Sequence, residues 1–311
     1  MTIGRRRAMS LWLAAFLVAC KKSPSPSPGA MPFGPPIELR LERALAIEIN
    51  DDFQPSGLAL RAERLLTVSD KHDSTIHEIV LGETRATLRT FVGFAPPADG
   101  SEPLDFEGIA VDADGALLVV SETRYRALRI DLGGGATWLT PPLEAIGKSA
   151  GLFRKYNANL EGIARLADGR LLLAAERETR GLIELPANGD LSRARAWAMP
   201  ESIYAVPAGR DTDFADLSVD GRQVYVLERN SHLVVRIERT AERWEEREAW
   251  SYATTENDPR FAYRDSRYGV AEGLAIDHDH VYLVTDNNRL PRVADPNDRR
   301  PQLFVFAKPG K

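Results

Sequence analysis

One short phrase recurs five times along this 311-residue chain: "PSGLAL" at Pro55–Leu60, "FEGIAV" at Phe106–Val111, "LEGIAR" at Leu160–Arg165, "ADLSVD" at Ala215–Asp220 and "AEGLAI" at Ala271–Ile276. Its glycine position falls at Gly57, Gly108, Gly162, Asp216 and Gly273, giving spacings of 51, 54, 54 and 57 residues. After each copy a second apolar run closes on an acid: Asp70, Glu122, Glu176, Glu228 and Asp286. Self-similarity at such a period is the mark of a repeat architecture, in which each unit is one supersecondary element that cannot bury its apolar face alone.

The second copy shows what the unit is. "GIAVD" and "ALLVVSE" are two apolar runs separated by the turn "DADG", "RALRIDL" is a third run, and "ATWLTPP" a fourth that ends in prolines. Asp-Gly turns recur at Ala167–Arg170 and Val219–Arg222, as tight hairpins require. Residues 37–311 hold five such units, but the last has only three strands. The missing strand is available in "IELRLERALAIEI" at Ile37–Ile49, which would close the ring and remove its free edges. The expected fold is an all-β, five-bladed β-propeller of four-stranded blades closed by an N-terminal strand, with a six-bladed ring as the alternative. A short helix is expected within Pro142–Ala158.

The start of the chain is a different material. Arg5, Arg6 and Arg7 precede an apolar run from Leu11 to Ala19 and the single cysteine, Cys20. That order is of an export signal, and a run of about 10 residues is too short to span a bilayer as a helix. "LVAC" at Leu17–Cys20 resembles the bacterial lipobox, which implies a signal peptide over 1–19 and lipidation of Cys20. The Ser/Pro-rich stretch through residue 36 reads as a semi-rigid tether with a reach of roughly 50 Å. The expectation is therefore a monomeric body, residues 37–311, anchored by lipid to a membrane of the bacterial envelope. Lys22 follows Lys21, where inner-membrane retention signals have aspartate, and this favours the outer membrane. With a net charge of −5 and no concentrated lysine run in the body, the footprint of a nucleic-acid partner is missing.

In a propeller blade the start of the innermost strand and the end of the second share one face. Glu107 with Glu122, Glu161 with Glu176, and Glu272 with Asp286 should converge on one mouth of the central channel. Asp70 and Glu228 join them from the two copies whose "EG" has drifted to "SG" and "AD", and Asp213 and Asp216 are substitutes in the fourth. So many hard oxygen ligands suit calcium better than zinc. Asn159, Asn230, Asn287 and Asn288 would add neutral oxygens. Arg124, Arg177 and Arg229 lie near the repeated acids, and Arg154, Lys155, Arg210, Arg260, Arg264 and Arg267 lie on long interblade connections of the same face. Acids for a cation beside guanidinium groups make a place for an anionic ester. The competing reading is that the acids only order the turns and the arginines only pair with them.

Taken together, "DFEGIAV…VVSETR", "NLEGIAR…AAERETR" and "VAEGLAI…LVTDNN" resemble the phytase-like family, named for an esterase-like activity, over roughly residues 37–308. The resemblance implies phosphoester or ester hydrolysis helped by a divalent cation. Glu107, Glu161 and Glu272 match the family's "EG" positions and are the candidate catalytic residues, whereas "PSG" and "ADL" depart from it. The one G-x-S-x-G match, Gly147–Gly151, falls inside the segment expected to hold a short helix and so makes no strand-to-helix elbow, no H-E-x-x-H helix occurs, and the "DHDH" pair falls on a hairpin turn. Hydrolysis would then use a metal-activated water with a carboxylate base. The alternatives are a non-catalytic propeller that binds a ligand or protein, and a lactonase-type hydrolase.

Overall fold

A computed structural model describes residues 33–49, 52–97 and 103–310; the expected signal peptide, Cys20 and most of the tether lie outside them. Among the described residues the chain is all-β, with twenty-one strands in four sheets and two short helices, Glu144–Ser149 and Ala253–Glu256. The first of these helices falls inside the expected segment.

The second, third and fourth repeats each form an antiparallel sheet in simple sequence order, beginning at Phe106–Val111, Leu160–Arg165 and Phe214–Asp220. The fifth repeat runs through Ala271–Ile276, His280–Thr285 and Gln302–Ala307, and its fourth strand is Arg40–Glu48, antiparallel to Gln302–Ala307. This N-terminal strand also pairs in parallel with the outer strand of the first repeat, Arg85–Gly93, so the two repeats make one eight-stranded sheet. Upstream, Ile37–Glu38 pairs with Trp250–Ser251 of the fourth repeat. One segment thus occupies edges on three repeats, edges that would otherwise invite pairing with another chain.

The apolar core is divided in the same cyclic way, because each sheet buries both faces against its neighbours. One cluster joins the first repeat to the second (Val68, Phe106, Val119) and the next joins the second to the third (Val120, Leu152, Leu173). Two more join the third to the fourth (Leu172, Phe214, Val235) and the fourth to the fifth (Leu227, Tyr252, Leu283). The last returns from the fifth repeat to the first through Leu45, Leu58 and Val284.

At the axis the five first strands pack directly against one another. A Cβ at Gly57 would lie 2.6 Å from the Glu107 carbonyl oxygen, and one at Gly108 would lie 2.3 Å from the Glu161 carbonyl oxygen. At Gly162 and Gly273 it would lie 2.8 Å from the next strand's backbone. These glycines are required by close approach, not by turn geometry. The fourth copy departs, and its side chain has a defined place. The fully buried Asp216 carboxylate accepts the backbone N–H groups of Leu58 (3.1 Å), Leu217 (2.8 Å) and Leu274 (2.8 Å), tying the first, fourth and fifth repeats together on the axis. Burial pushes its carboxyl well up, while the three N–H donors pull it down.

Replacing Asp216 by Ala leaves those three N–H groups without an acceptor, at about 1 to 3 kcal/mol each. Urea unfolding is expected to show a loss of at least about 3 kcal/mol; a loss below about 1 kcal/mol would mean that the axial carboxylate does not hold the ring.

Candidate functional site

Every first strand carries a register irregularity at the repeated phrase, between Pro55 and Leu58, Phe106 and Ile109, Leu160 and Ile163, Phe214 and Asp216, and Ala271 and Gly273. A bulge inserts one residue and re-aims the side chain beside it. It falls on the dipeptide that holds Glu107, Glu161 and Glu272, where the first strand begins. The second strand of each repeat ends at the same face, which brings up Glu122 and Glu176.

Five carboxylates form a connected cluster there. Ligand oxygens of Asp105, Glu107 and Glu122 lie within 4.8 Å of one another, and so do those of Glu122, Glu161 and Glu176. Asp105 was not among the expected site residues, although the signal is present in the sequence. The position two before the "E" of each phrase holds Gln54, Asp105, Asn159 and Asp213 in four of the five repeats, each with a side-chain oxygen. Its backbone faces the second-strand acid: the N–H of Glu122 donates to the Asp105 carbonyl and that of Glu176 to the Asn159 carbonyl, both at 2.9 Å.

The mouth has two electrostatic halves. In one, the largely buried Arg229 donates to Asp213 (2.7 Å), to Glu176 (2.6 Å) and to Glu272. Burial nevertheless lifts the Glu272 carboxyl to about 8, with Asp286 and Asp213 adding to the effect of burial and Arg229 opposing it. Arg177 also reaches Glu176, donates to the Asn157 carbonyl (3.2 Å), and stacks 5.8 Å from the Tyr268 ring centre. In the other half, Asp105, Glu107, Glu122 and Glu161 have no ion pair with any described residue. Burial, together with Asp70, Asp105 and Glu122, holds Glu107 well above the usual carboxylate range. Glu161 is raised in the same way by burial and by the charges of Glu107 and Glu122, with Arg229 opposing them. Burial pushes Glu122 up to about 7, against the N–H of Asn159 that it accepts at 2.9 Å. This is the signature of like charges gathered by burial and only partly offset by Arg229 at Glu161 and by Arg177 at Glu122.

The remaining expected ligands are placed elsewhere. Glu228 is fully buried and bound to Arg180 at 2.6 Å, which in turn holds Glu246 at 2.7 Å, and Glu228 also accepts the Asp213 N–H at 2.7 Å. Asp70 pairs with Lys71, and Asp286 accepts from the Gln54 side chain (3.0 Å) and the Asn288 N–H (2.8 Å). Arg124 is half-buried just past Glu122, with its backbone N–H on Ser121 Oγ at 3.2 Å. Among the neutral oxygens, Asn287 donates to the carbonyls of Leu290 and Arg299, and Asn230 donates to Asp211 and Asp213. Asn159 Oδ1 and Glu176 Oε2 are buried acceptors without a hydrogen-bond partner among the described residues. Acceptors left bare beside uncompensated carboxylates fit a hard cation, and a donor set made of oxygen alone fits calcium or magnesium rather than zinc.

The phytase-like family, described as "Esterase-like activity of phytase", matches residues 54–289 and so spans this whole carboxylate face. The chain belongs to the phytase-like family. No curated protein matches it. Among solved structures, this phytase-like chain is similar to the PQQ-bound aldose sugar dehydrogenase of Streptomyces coelicolor, at 14% identity over 87% of this chain and 98% of that one, with a TM-score of 0.51. It is also similar to the glutaminyl cyclase of Myxococcus xanthus (12% identity, 88% and 100% of the two chains, TM-score 0.49). A third is a gluconolactonase of Xanthomonas campestris (10%, 88% and 98%, 0.47). At such identities only the fold is shared, a β-propeller.

The raised carboxyls of this phytase-like site set a pH dependence. A carboxyl with a raised folded pKa binds more protons folded than unfolded, so stability falls as pH rises from the ordinary value, near 4.5, through about 7 for Glu122 and about 8 for Glu272. With a chelator present, the melting temperature is expected to drop steadily between pH 5 and pH 8, and Glu161→Gln is expected to flatten the slope. A melting temperature that rises over this range would contradict the uncompensated cluster.

Proposed function

We propose that this phytase-like chain is an envelope protein, anchored through a lipid on Cys20, whose five-bladed β-propeller hydrolyses phosphate or carboxylate esters with a divalent cation at one mouth. The observation that carries the activity is the unpaired half of the mouth: Asp105, Glu107, Glu122 and Glu161 make no ion pair among the described residues, although Glu176, within 4.8 Å of Glu122 and Glu161, holds both Arg177 and Arg229. The cyclic order of the five core clusters supports the blade count.

Asp105, Glu107, Glu122 and Glu161 would hold the cation, with Asn159 Oδ1 as a neutral ligand. Calcium is the ion favoured by that donor set. Bound there, a divalent cation polarises an ester oxygen and lowers the pKa of water. Glu272, with its carboxyl near 8, is suited to carry a proton close to neutral pH. Arg177 is placed beside Glu176 at the boundary of the two halves and offers its guanidinium to the anionic group of the substrate. Arg229 is saturated by three carboxylates and acts as an internal counterion rather than as a substrate ligand.

A second reading has its own support, because Glu122 and Glu228 each accept a backbone N–H at the start of a first strand and so order the repeats. In that reading the propeller binds and does not turn over. Both are tested by adding calcium to chelated protein at pH 8 and assaying aryl phosphate, carboxylate-ester and lactone panels. The hydrolase reading expects a calcium-dependent rise in melting temperature and turnover of an ester, with Glu161→Gln losing at least about tenfold in each of calcium affinity and rate. Stabilisation by calcium without turnover would favour the binding reading, and neither effect would remove the metal site.

A further inference from the structure

On the face opposite the carboxylates lies a groove between the third and fourth repeats, where each first strand turns into its second. It has a volume of about 470 Å³. Its apolar wall is made by Leu166, Val219, Val224, Ile237 and Trp244. Its rim holds four guanidiniums (Arg170, Arg222, Arg236 and Arg239) and two carboxylates, Asp168 and Glu238, with Glu184 and Glu248 pairing to the rim arginines from outside the groove lining.

The pairing of those arginines is incomplete. Arg170 and Arg239 share one carboxylate, that of Glu184, at 2.8 and 3.3 Å, and the same Glu184 oxygen also accepts the Trp244 indole N–H at 3.2 Å. Asp168 is bound to Arg170, and Glu238 is shared between Arg247 at 2.8 Å and Arg236 at 4.0 Å. Arg236 has Glu248 at its side. Arg222 is exposed and makes no ion pair, hydrogen bond or ring contact with any described residue. A guanidinium presents five donors in a planar fork suited to phosphate or carboxylate oxygens, and Arg222, the one rim guanidinium without an acidic partner among the described residues, stands above an apolar wall and makes the site amphiphilic.

We infer that this groove is a second ligand site, separate from the carboxylate mouth, for an amphiphilic anion whose phosphate or carboxylate head lies on Arg222 and whose apolar chain lies against Val219 and Trp244. The inference does not depend on the activity proposed for the mouth. A free amphiphile and a membrane lipid share this chemistry, so the probes are octyl phosphate in solution and vesicles of anionic phospholipid, each with the uncharged octyl glucoside or zwitterionic vesicles as reference.

Calorimetric titration of the protein with octyl phosphate is expected to show saturable binding near one equivalent. Arg222→Ala is expected to weaken it by at least about tenfold, the range for a charge-assisted hydrogen bond. Glu161→Gln, at the other mouth, is expected to leave it unchanged, as is the melting temperature in Arg222→Ala. Arg222-dependent sedimentation with anionic vesicles would identify a lipid surface as the source, and binding of octyl phosphate alone a free amphiphile; both support the site. Absence of saturable binding to either probe, equal binding of octyl glucoside, an affinity indifferent to Arg222, or loss in Glu161→Gln would overturn it.

Discussion

Five β-strand edges meet at the axis of this molecule, and the distance between them decides what the sequence is allowed to be there. Glycine is obligatory wherever one backbone lies within about 3 Å of where the neighbour's Cβ would stand, and four of five repeats obey. The fifth occupant of the ring is a carboxylate. Asp216 reaches the unpaired N–H groups on the strand edges of three repeats, which buried backbone donors need and which no neighbouring strand supplies at the axis. Closure of the ring by Arg40–Glu48 at the periphery and by Asp216 at the centre are therefore complementary: one satisfies outer edges, the other inner ones.

The same fourth repeat sets the charge of the mouth. Where three other copies have glutamate before the glycine, it has Ala215, and it contributes Arg229 and Asp213 instead. One guanidinium then faces Asp213, Glu176 and Glu272, so even that half retains a surplus of negative charge, which accords with the raised carboxyl of Glu272. Glu107 and Glu161 make no ion pair with any described residue, and Arg229 offsets Glu161 only through its charge. A buried acidic cluster is costly to maintain unless protons or a cation offset it.

Much of this was legible in the sequence, for a physical reason. Strand, turn and glycine positions depend on local chemistry and on a repeat period, both of which survive in a linear text. The meander order within each repeat, the N-terminal strand joining the last one, the short helix after Pro142 and the gathering of Glu107, Glu122, Glu161 and Glu176 on one face follow from that alone. What was not legible depends on contacts between repeats. The sequence marks Glu228 as a copy of Glu122 and Glu176, but the fully buried Arg180, from the third repeat, draws it into an ion pair. Asp105 escaped notice because its equivalents differ in type, Gln54, Asn159 and Asp213, and agree only in offering an oxygen.

The drift of the repeated phrase is thus not decay. A strictly five-fold ring would carry five equivalent glutamates and no preferred place for a single cation, since every carboxylate would face the same field. Substituting one repeat breaks that equivalence twice over: the aspartate at its glycine position seals the axis, and the arginine that follows its second strand partly offsets the nearer acids. Negative charge is then concentrated on the carboxylates that make no ion pair with Arg229, those of the second repeat and Glu161 of the third. A symmetric scaffold acquires a directional field by losing its acid in one repeat, so that Arg229, as much as the glutamates themselves, decides where the surplus negative charge of the mouth lies.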